Sequence, residues 1–183
     1  MSARVCRFGI LGTSNIARKN WDAIRQAGNA TLVAVGSRER QRAQAFIAEC
    51  QASAPVERVP KALTYDELVD SSDIDALYIP LPTGVRKAWV LRAAQARKHV
   101  VCEKPCGVNA AELQEILAAC RASNVQFMDG VMFMHSARLG SMRQALDDGS
   151  RVGEIRRITS QFSFSARIRA AGRSATRQQR RHQ

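Results

Sequence analysis

Short apolar runs alternate with amphipathic stretches over the first part of the chain. The runs predict strands over residues 8–11, 31–35, 56–59, 74–79, 99–102 and 125–132. Between them, apolar residues recur three and four positions apart, as on one face of a helix; one such set is Ala43, Phe46, Ile47 and Cys50. Thr64 with Glu67, and Asn109 with Glu112, have the spacing of capping boxes that begin helices. Alternating strands and helices predict an α/β fold with a doubly wound parallel sheet.

The pattern changes beyond residue 130. Residues 138–148 predict a helix, and in residues 157–165 Ile158, Phe162 and Phe164 alternate with polar residues. This alternation predicts an antiparallel strand with one buried face, which would begin an incomplete α+β substrate domain. We therefore expect three segments: a nucleotide-binding domain over 1–130, the beginning of a second domain over 131–166, and a basic, disordered tail over 167–183. An alternative is an unstable product, because an unpaired edge strand would expose Phe162 and Phe164.

Charge and cysteine content narrow the function classes. The net charge is +12, but residues 167–183 hold six arginines and no acid, and no aromatic residue lies between these arginines to stack on bases. We therefore expect no nucleic-acid partner. The five cysteines are scattered, which favours reduced thiols and a cytoplasmic location. Cys102 and Cys106 have no nearby histidine or second cysteine pair, so we expect no metal. No apolar run is long enough to span a membrane, and the first residues lack a secretory pattern.

The first predicted strand ends in a turn that is typical of phosphate binding. Gly12, Ser14 and Ala17 have the spacing of a softened G-x-G-x-x-G/A motif. Gly12 would form the tight turn, Ser14 would allow close backbone approach, and Ala17 would let helix and strand pack closely. The N-terminus of the following helix would then point free N–H groups at a phosphate. The alternative is an ordinary strand–helix turn.

The residues at the second strand end distinguish between NADP and NAD as the expected cofactor. Ser37 and Arg38 stand where an NAD site needs Asp or Glu for the ribose 2′-hydroxyl. A hydroxyl and a guanidinium suit a 2′-phosphate instead, because arginine offers a forked set of donors. We therefore expect NADP rather than NAD, against the alternative that Arg38 merely begins an exposed helix face.

Two further strand ends supply candidate chemistry. Pro80, Leu81 and Pro82 would form a rigid wall suited to the apolar face of a nicotinamide ring, although a plain loop is the alternative. At the fourth strand end, Lys104 would have its charged form disfavoured by a cationic nicotinamide and by desolvation. It could then exchange a proton with a substrate hydroxyl while hydride moves to the ring. Without this position, Lys104 would be read as a solvated charge.

These segments, together with residues 128–135, resemble the Gfo/Idh/MocA oxidoreductases, and most of all the branch of dihydrodiol and D-xylose dehydrogenases. The resemblance covers roughly residues 4–166. It implies a Rossmann-type domain followed by an open antiparallel sheet, a cis peptide between Lys104 and Pro105, and Lys104 as the catalytic lysine. It also implies that NADP(H) is bound by the residues at the strand ends, namely Gly12, Thr13, Ser14, Asn15, Ile16, Ser37, Arg38, Pro80, Leu81, Pro82, Glu103 and Lys104.

By this resemblance the protein would be an NADP-dependent oxidoreductase that acts on the CH–OH group of a sugar or diol. The alternative is a non-catalytic NADP-binding or regulatory fragment without a substrate domain. Two departures matter: Arg86 stands where the family usually has histidine, and the second domain stops early. We therefore expect little or no turnover from this chain alone. The relatives form homodimers through the sheet that is missing here, so dimerisation of this chain is left open.

Overall fold

The computed structural model describes residues 5–161 and residue 163. Its strands are β1 (Cys6–Leu11), β2 (Ala30–Ser37), β3 (Lys61–Thr64), β4 (Ala76–Ile79), β5 (His99–Cys102) and β6 (Phe127–Asp129). Its helices are α1 (Asn15–Gln26), α2 (Arg40–Ser53), α3 (Tyr65–Asp70), α4 (Thr83–Gln95), α5 (Ala110–Ala122) and α6 (Ala137–Asp147), with a 3₁₀ helix over Met132–His135.

All six strands are parallel and lie in the order β3-β2-β1-β4-β5-β6. This is the strand order of the Rossmann-type fold, so the predicted fold class is confirmed. The connection from β3 to β4 carries the chain from one half of the sheet to the other, and the strand order reverses between the adjacent strands β1 and β4. Ligands of doubly wound sheets bind at such a switch point, beyond the carboxyl ends of the strands.

Helices cover both faces of the sheet because neighbouring strand residues point to opposite sides. Ile10 and Tyr78 pack with α1 and α2, whereas Leu11 and Leu77 pack with α3, α4 and α5. Trp21 of α1 is 1% exposed, and its indole N–H donates to the carbonyl of Ala54 at 2.7 Å. Burying a side chain of this kind contributes about 1.5–3 kcal/mol, so the two apolar layers hold the strand ends in place.

The predicted strand over residues 56–59 is wrong. The third strand, β3, begins instead at Lys61. The side chain of Gln51 binds both main-chain groups of Val56: its amide accepts from the Val56 N–H at 2.6 Å and donates to the Val56 carbonyl at 3.1 Å. These groups are therefore occupied by a local side chain rather than by a neighbouring strand.

The last predicted strand is much shorter than residues 125–132. Gly130 donates its N–H to the Cys102 carbonyl at 2.8 Å, and the Asp129 carboxylate then accepts from the Val131 N–H at 3.0 Å. This local turn ends β6, and the 3₁₀ helix over Met132–His135 follows. The apolar run was therefore continuous in sequence but not in backbone conformation.

One of the two predicted capping boxes is complete. Thr64 and Glu67 exchange both hydrogen bonds at the start of α3, at 3.3 Å and 2.8 Å. At α5, Asn109 accepts from the Glu112 N–H at 2.9 Å, but the Glu112 carboxylate accepts from Val108 rather than from Asn109. The second box therefore lacks one of its two hydrogen bonds, because the Glu112 carboxylate binds the N–H one residue before the N-cap.

The described chain divides into two units between Ser136 and Ala137, a few residues beyond the predicted domain boundary. The predicted helix over 138–148 is confirmed as α6. Residues 157–161 form no strand, and Ile158 is 83% exposed, so the predicted buried strand is wrong in this part. Within the described residues no neighbouring strand is present to pair with them. Phe162, Phe164 and the predicted tail over 167–183 lie outside the described residues.

Candidate active site

The sheet brings the four predicted segments to one edge. The strands β1, β2, β4 and β5 end at Leu11, Ser37, Ile79 and Cys102, and each candidate segment begins at or directly after one of these ends. Because parallel strands end on the same side of the sheet, residues far apart in sequence become neighbours here. The edge therefore holds a glycine turn, an arginine, a proline-rich turn and a lysine.

Gly12 forms a turn in which a side chain would be strained and closely packed. Its φ is +129°, in a region that only glycine enters readily, and a Cβ at this position would lie 3.0 Å from Cδ2 of Leu81. The Gly12 N–H donates to the carbonyl of Gly36 at 2.9 Å, which ties the turn to β2. The glycine predicted for a tight turn therefore also allows close packing against the turn after β4.

Ser14 is the N-cap of α1, but its hydroxyl does not cap the helix. Its Oγ is buried and has no hydrogen-bond partner among the described residues. The first turn of α1 contains no acidic residue, and Thr13, Asn15 and Ile16 continue the loop into the helix. A buried hydroxyl without a partner is costly. Together with the free N–H groups of the helix start, it forms a site suited to an oxyanion.

Arg38 lies beside a cavity with aromatic walls. Ser37 is 3% exposed, whereas Arg38 is exposed at the rim. The cavity has a volume of about 300 Å³ and is lined by Arg38, Tyr65, Leu81, Pro82, Val85 and Trp89. The rings of Tyr65 and Trp89 meet edge to face with centroids 5.1 Å apart, and burial raises the pKa of Tyr65. A flat aromatic group could enter here next to a guanidinium.

Three residues of this cavity could not be identified from the sequence. Tyr65 stands inside the α3 capping box, and Val85 and Trp89 have the spacing of an ordinary helix core. The structure also places Leu81 and Pro82 beside Arg38, while Pro80 is buried. The proposed contact of this turn with a nicotinamide ring stays a prediction.

Lys104 opens onto a second cavity, of about 410 Å³. Its polar lining includes Lys19, Asn20, Tyr78, Glu103, Lys104 and His135. The Lys104 side chain is exposed, and within the described part of the chain its ammonium makes no ion pair or hydrogen bond. The peptide between Lys104 and Pro105 is cis, as predicted. Lys19 and Asn20 join this site from α1, and nothing in their local sequence indicated this. His135 joins it from the 3₁₀ helix, at the end of the segment 128–135.

Glu103 lies in the wall of this cavity, and its carboxylate is bonded to neighbouring groups of the protein. It is 8% exposed, and its carboxylate accepts from the hydroxyl of Tyr78 at 2.8 Å and from the Lys104 N–H at 3.3 Å. Burial, then the hydrogen bond to Glu103, raises the pKa of Tyr78 well above its usual range. A Cβ on Gly130 would lie 3.2 Å from Cα of Glu103, so the residue that follows β6 packs directly on Glu103. The hydrogen bond between Tyr78 and Glu103 therefore connects the Lys104 loop to β4.

The two cysteines beside Lys104 are packing residues. Burial raises the pKa of Cys102 to about 12 and also raises that of Cys106. Thiols at these positions stay protonated near neutral pH and are poor nucleophiles. Among residues 5–161 and 163, no cluster of three histidine, cysteine or acidic side chains could hold a metal ion. No helix in this same part of the chain is long and apolar enough to cross a membrane.

Strand order, the glycine turn and the positively charged helix start define a nucleotide-binding Rossmann domain. Residues 6–131 match the Gfo/Idh/MocA family, described as an oxidoreductase family with an NAD-binding Rossmann fold, and the chain belongs to this family. The resemblance inferred from the strand-end motifs is therefore confirmed.

Curated and solved relatives agree with this assignment. The chain is 33% identical over 161 residues to a dTDP-3,4-didehydro-2,6-dideoxy-alpha-D-glucose 3-reductase of Saccharopolyspora spinosa. The matched region is 86% of this chain and 46% of the relative. It is 35% identical to an NADP(+)-dependent D-xylose 1-dehydrogenase of Haloferax volcanii, over 86% of this chain and 46% of that protein. A solved 3-ketoreductase from Actinomadura kijaniata in complex with NADP superposes with a TM-score of 0.74 at 28% identity, covering 84% and 47% of the two chains. The chain thus spans about half the length of these relatives.

Proposed function

We propose that this chain binds NADP(H) along the carboxyl edge of its sheet and belongs to an oxidoreductase that acts on the CH–OH group of a sugar or diol. The observation that carries the proposal is the buried Oγ of Ser14 at the start of α1, which has no hydrogen-bond partner among the described residues. It lies beyond a glycine turn, at the same sheet edge as Arg38 and Lys104.

The residues present fit the cofactor from one end to the other. Gly12, Thr13, Ser14, Asn15 and Ile16 would bind the pyrophosphate through main-chain N–H groups and the Ser14 hydroxyl. Ser37 and Arg38 would bind the 2′-phosphate, because a guanidinium makes strong, forked hydrogen bonds to phosphate. The cavity lined by Tyr65 and Trp89 has the apolar walls that a purine ring needs. Leu81 and Pro82 also line this cavity, and the turn of Pro80, Leu81 and Pro82 would contact the nicotinamide end of the cofactor.

Lys104 would handle the proton of the reaction. The nicotinamide supplies hydride transfer to or from carbon when it is bound. Lys104 projects into the cavity of about 410 Å³ and makes no competing ion pair within the described residues, so its ammonium can face a substrate oxygen. Glu103 and Tyr78 hold the backbone of this lysine in place. A positioned acid–base group of this kind contributes roughly 10²–10⁴-fold to rate.

The substrate class rests on the relatives. One curated relative is named as a reductase of a dTDP-linked keto sugar and another as a D-xylose dehydrogenase. Both names describe the interconversion of a hydroxyl and a carbonyl on a sugar. A carbinol carbon flanked by further hydroxyls is the substrate group that we propose for this chain.

Titration of the purified protein with NADPH and NADH tests the cofactor assignment. We expect NADPH to bind more tightly, and Arg38→Ala to weaken NADPH by about tenfold or more while NADH changes little, because only NADPH carries the 2′-phosphate. Arg58→Ala is the matched control, since Arg58 is an exposed arginine in the loop before β3, away from the strand carboxyl ends. Equal affinity for the two cofactors, or an equal loss in both variants, would overturn the NADP assignment.

A further inference from the structure

Arg86 is a buried cation beside the proposed active site. It lies near the start of α4 and is 7% exposed. A buried charge is costly unless its donors are satisfied, and a guanidinium has five N–H donors in a fixed plane. This arginine also stands where the family resemblance leads us to expect a histidine. The hydrogen-bond partners of Arg86 therefore indicate what role an arginine has at this position.

The acceptors of Arg86 are main-chain carbonyls of two strand-end loops. Its Nε donates to the carbonyl of Leu81, in the turn after β4. Its Nη1 donates to the carbonyl of Glu103 at 2.7 Å and also to the carbonyl of Pro105. Glu103 and Pro105 are the residues on either side of Lys104. One side chain thus joins the proline-rich turn to both flanks of the lysine.

The lysine itself contributes little to its own placement. Its side chain is exposed, whereas the backbone around it is held by other groups. Tyr78 fixes the Glu103 carboxylate, and the Gly130 N–H donates to the Cys102 carbonyl at 2.8 Å. Arg86 binds two other groups of the loop, the main-chain carbonyls of Glu103 and Pro105. Removing it would release the carbonyls of Glu103 and Pro105 together.

We propose that Arg86 is a positioning residue that sets where Lys104 stands relative to the turn after β4, and with it the place of the nicotinamide end of the cofactor. This inference rests on the proposed NADP(H) site. Only arginine suits the task, because three carbonyls in different directions need a planar fork of donors. A lysine offers a compact charge without fixed directions, and a histidine has only two ring nitrogens.

The test compares NADPH with 2′,5′-ADP, a fragment that carries the 2′-phosphate but no nicotinamide. In Arg86→Gln we expect the dissociation constant of NADPH to rise about tenfold relative to that of 2′,5′-ADP, because charge-assisted hydrogen bonds at the lysine loop are lost. The emission of bound NADPH should also move toward that of free NADPH. Arg86→Lys should give an intermediate change in both measurements.

Controls separate this inference from simple destabilisation. Lys87→Gln removes a cation from the neighbouring position of α4, where it pairs with Glu115 at 2.5 Å, and should leave the NADPH to 2′,5′-ADP ratio unchanged. An Arg86 variant that weakens both ligands equally, or neither, overturns the positioning role. If Arg86→Gln does not fold, Arg86→Lys decides alone, and an unchanged ratio in it overturns the proposal. Failure of the wild-type protein to bind either ligand would instead refute the proposed function.

Discussion

At the scale of single residues, the candidate site depends on a few positions with unusual conformation, burial or hydrogen bonding. Gly12 combines a positive φ with close packing on Leu81, and Ser14 keeps a buried hydroxyl without a partner in the described chain. Glu103 is a different case, because its carboxylate lies in the cavity wall but is bonded to Tyr78 and to the Lys104 backbone. We therefore propose that the first strand end binds phosphate and that the contacts at the fourth strand end position the lysine.

Gly12→Ala should impair both folding and cofactor binding. The added methyl group meets Leu81 and the backbone is strained at φ +129°, so we expect the free energy of unfolding to fall by about 1–3 kcal/mol in urea melts. NADPH should bind at least several-fold more weakly, because the turn must shift. Gly84→Ala is the matched control, since no atom of the described residues lies within 4 Å of a Cβ there and the residue is helical. We expect its stability to be unchanged or higher. Equal behaviour of the two variants would contradict the packing argument.

At the scale of elements, helix starts are determined locally and strand lengths are not. The Thr64–Glu67 box forms as its spacing predicts because both of its hydrogen bonds lie within four residues. The predicted strand over 56–59 is absent and the one over 125–132 is shortened, because strand formation is not decided locally. Whether an apolar run becomes a strand depends on a partner strand and on local groups such as Gln51 and Asp129. Neither influence is visible in the pattern of apolar residues.

The α3 capping box should contribute a pH-dependent stabilisation. Hydrogen bonds from the backbone and side chain of Thr64, with Arg40 nearby, hold the pKa of Glu67 below its usual range. A carboxylate with a lowered folded-state pKa stabilises the fold above its unfolded pKa of about 4.3, and this stabilisation is lost as pH falls through the folded value. Glu67→Gln should therefore lower the melting temperature at pH 7, and the difference from wild type should disappear as the pH falls below about 4.3.

Glu57→Gln is the control for this experiment. Glu57 is exposed and makes no hydrogen bond or ion pair within the described residues, so its substitution should leave the melting temperature nearly unchanged at every pH. A deficit in Glu67→Gln that stays constant from pH 7 to acid would show that the lost geometry, not the lost charge, matters.

At the scale of the whole molecule, apolar surface remains uncovered beside the candidate site. Met128, Met132, Phe133 and Met134 form an exposed apolar patch at the end of β6 and in the 3₁₀ helix, with exposures of 44%, 74%, 61% and 58%. Apolar patches next to a functional edge mark surfaces that bind ligands or other protein segments. This patch borders the cavity of Lys104 through Met128 and Met132.

The exposed apolar patch should bind a hydrophobic dye. We expect the double variant Phe133→Ser and Met134→Ser to lower the fluorescence of 1-anilinonaphthalene-8-sulfonate while changing the melting temperature little, because these side chains bury little surface. Val108→Ser, at a valine that is 59% exposed outside the patch, should leave the dye signal unchanged. Dye binding that is insensitive to the double variant would place the apolar surface elsewhere.

The sequence by itself determined the parallel α/β fold, the glycine turn and the four strand-end segments. Each of these features can be predicted from local patterns, namely apolar runs, helical spacing and residues that directly follow a strand. It also determined the family, because those segments occur in a fixed order. Only the tertiary structure placed Tyr65 and Trp89 beside Arg38, turned Glu103 inward to Tyr78, and joined Arg86 to the carbonyls around Lys104. These contacts link residues from different strands and helices, so no stretch of sequence contains them. They form only when the sheet brings its strand ends together.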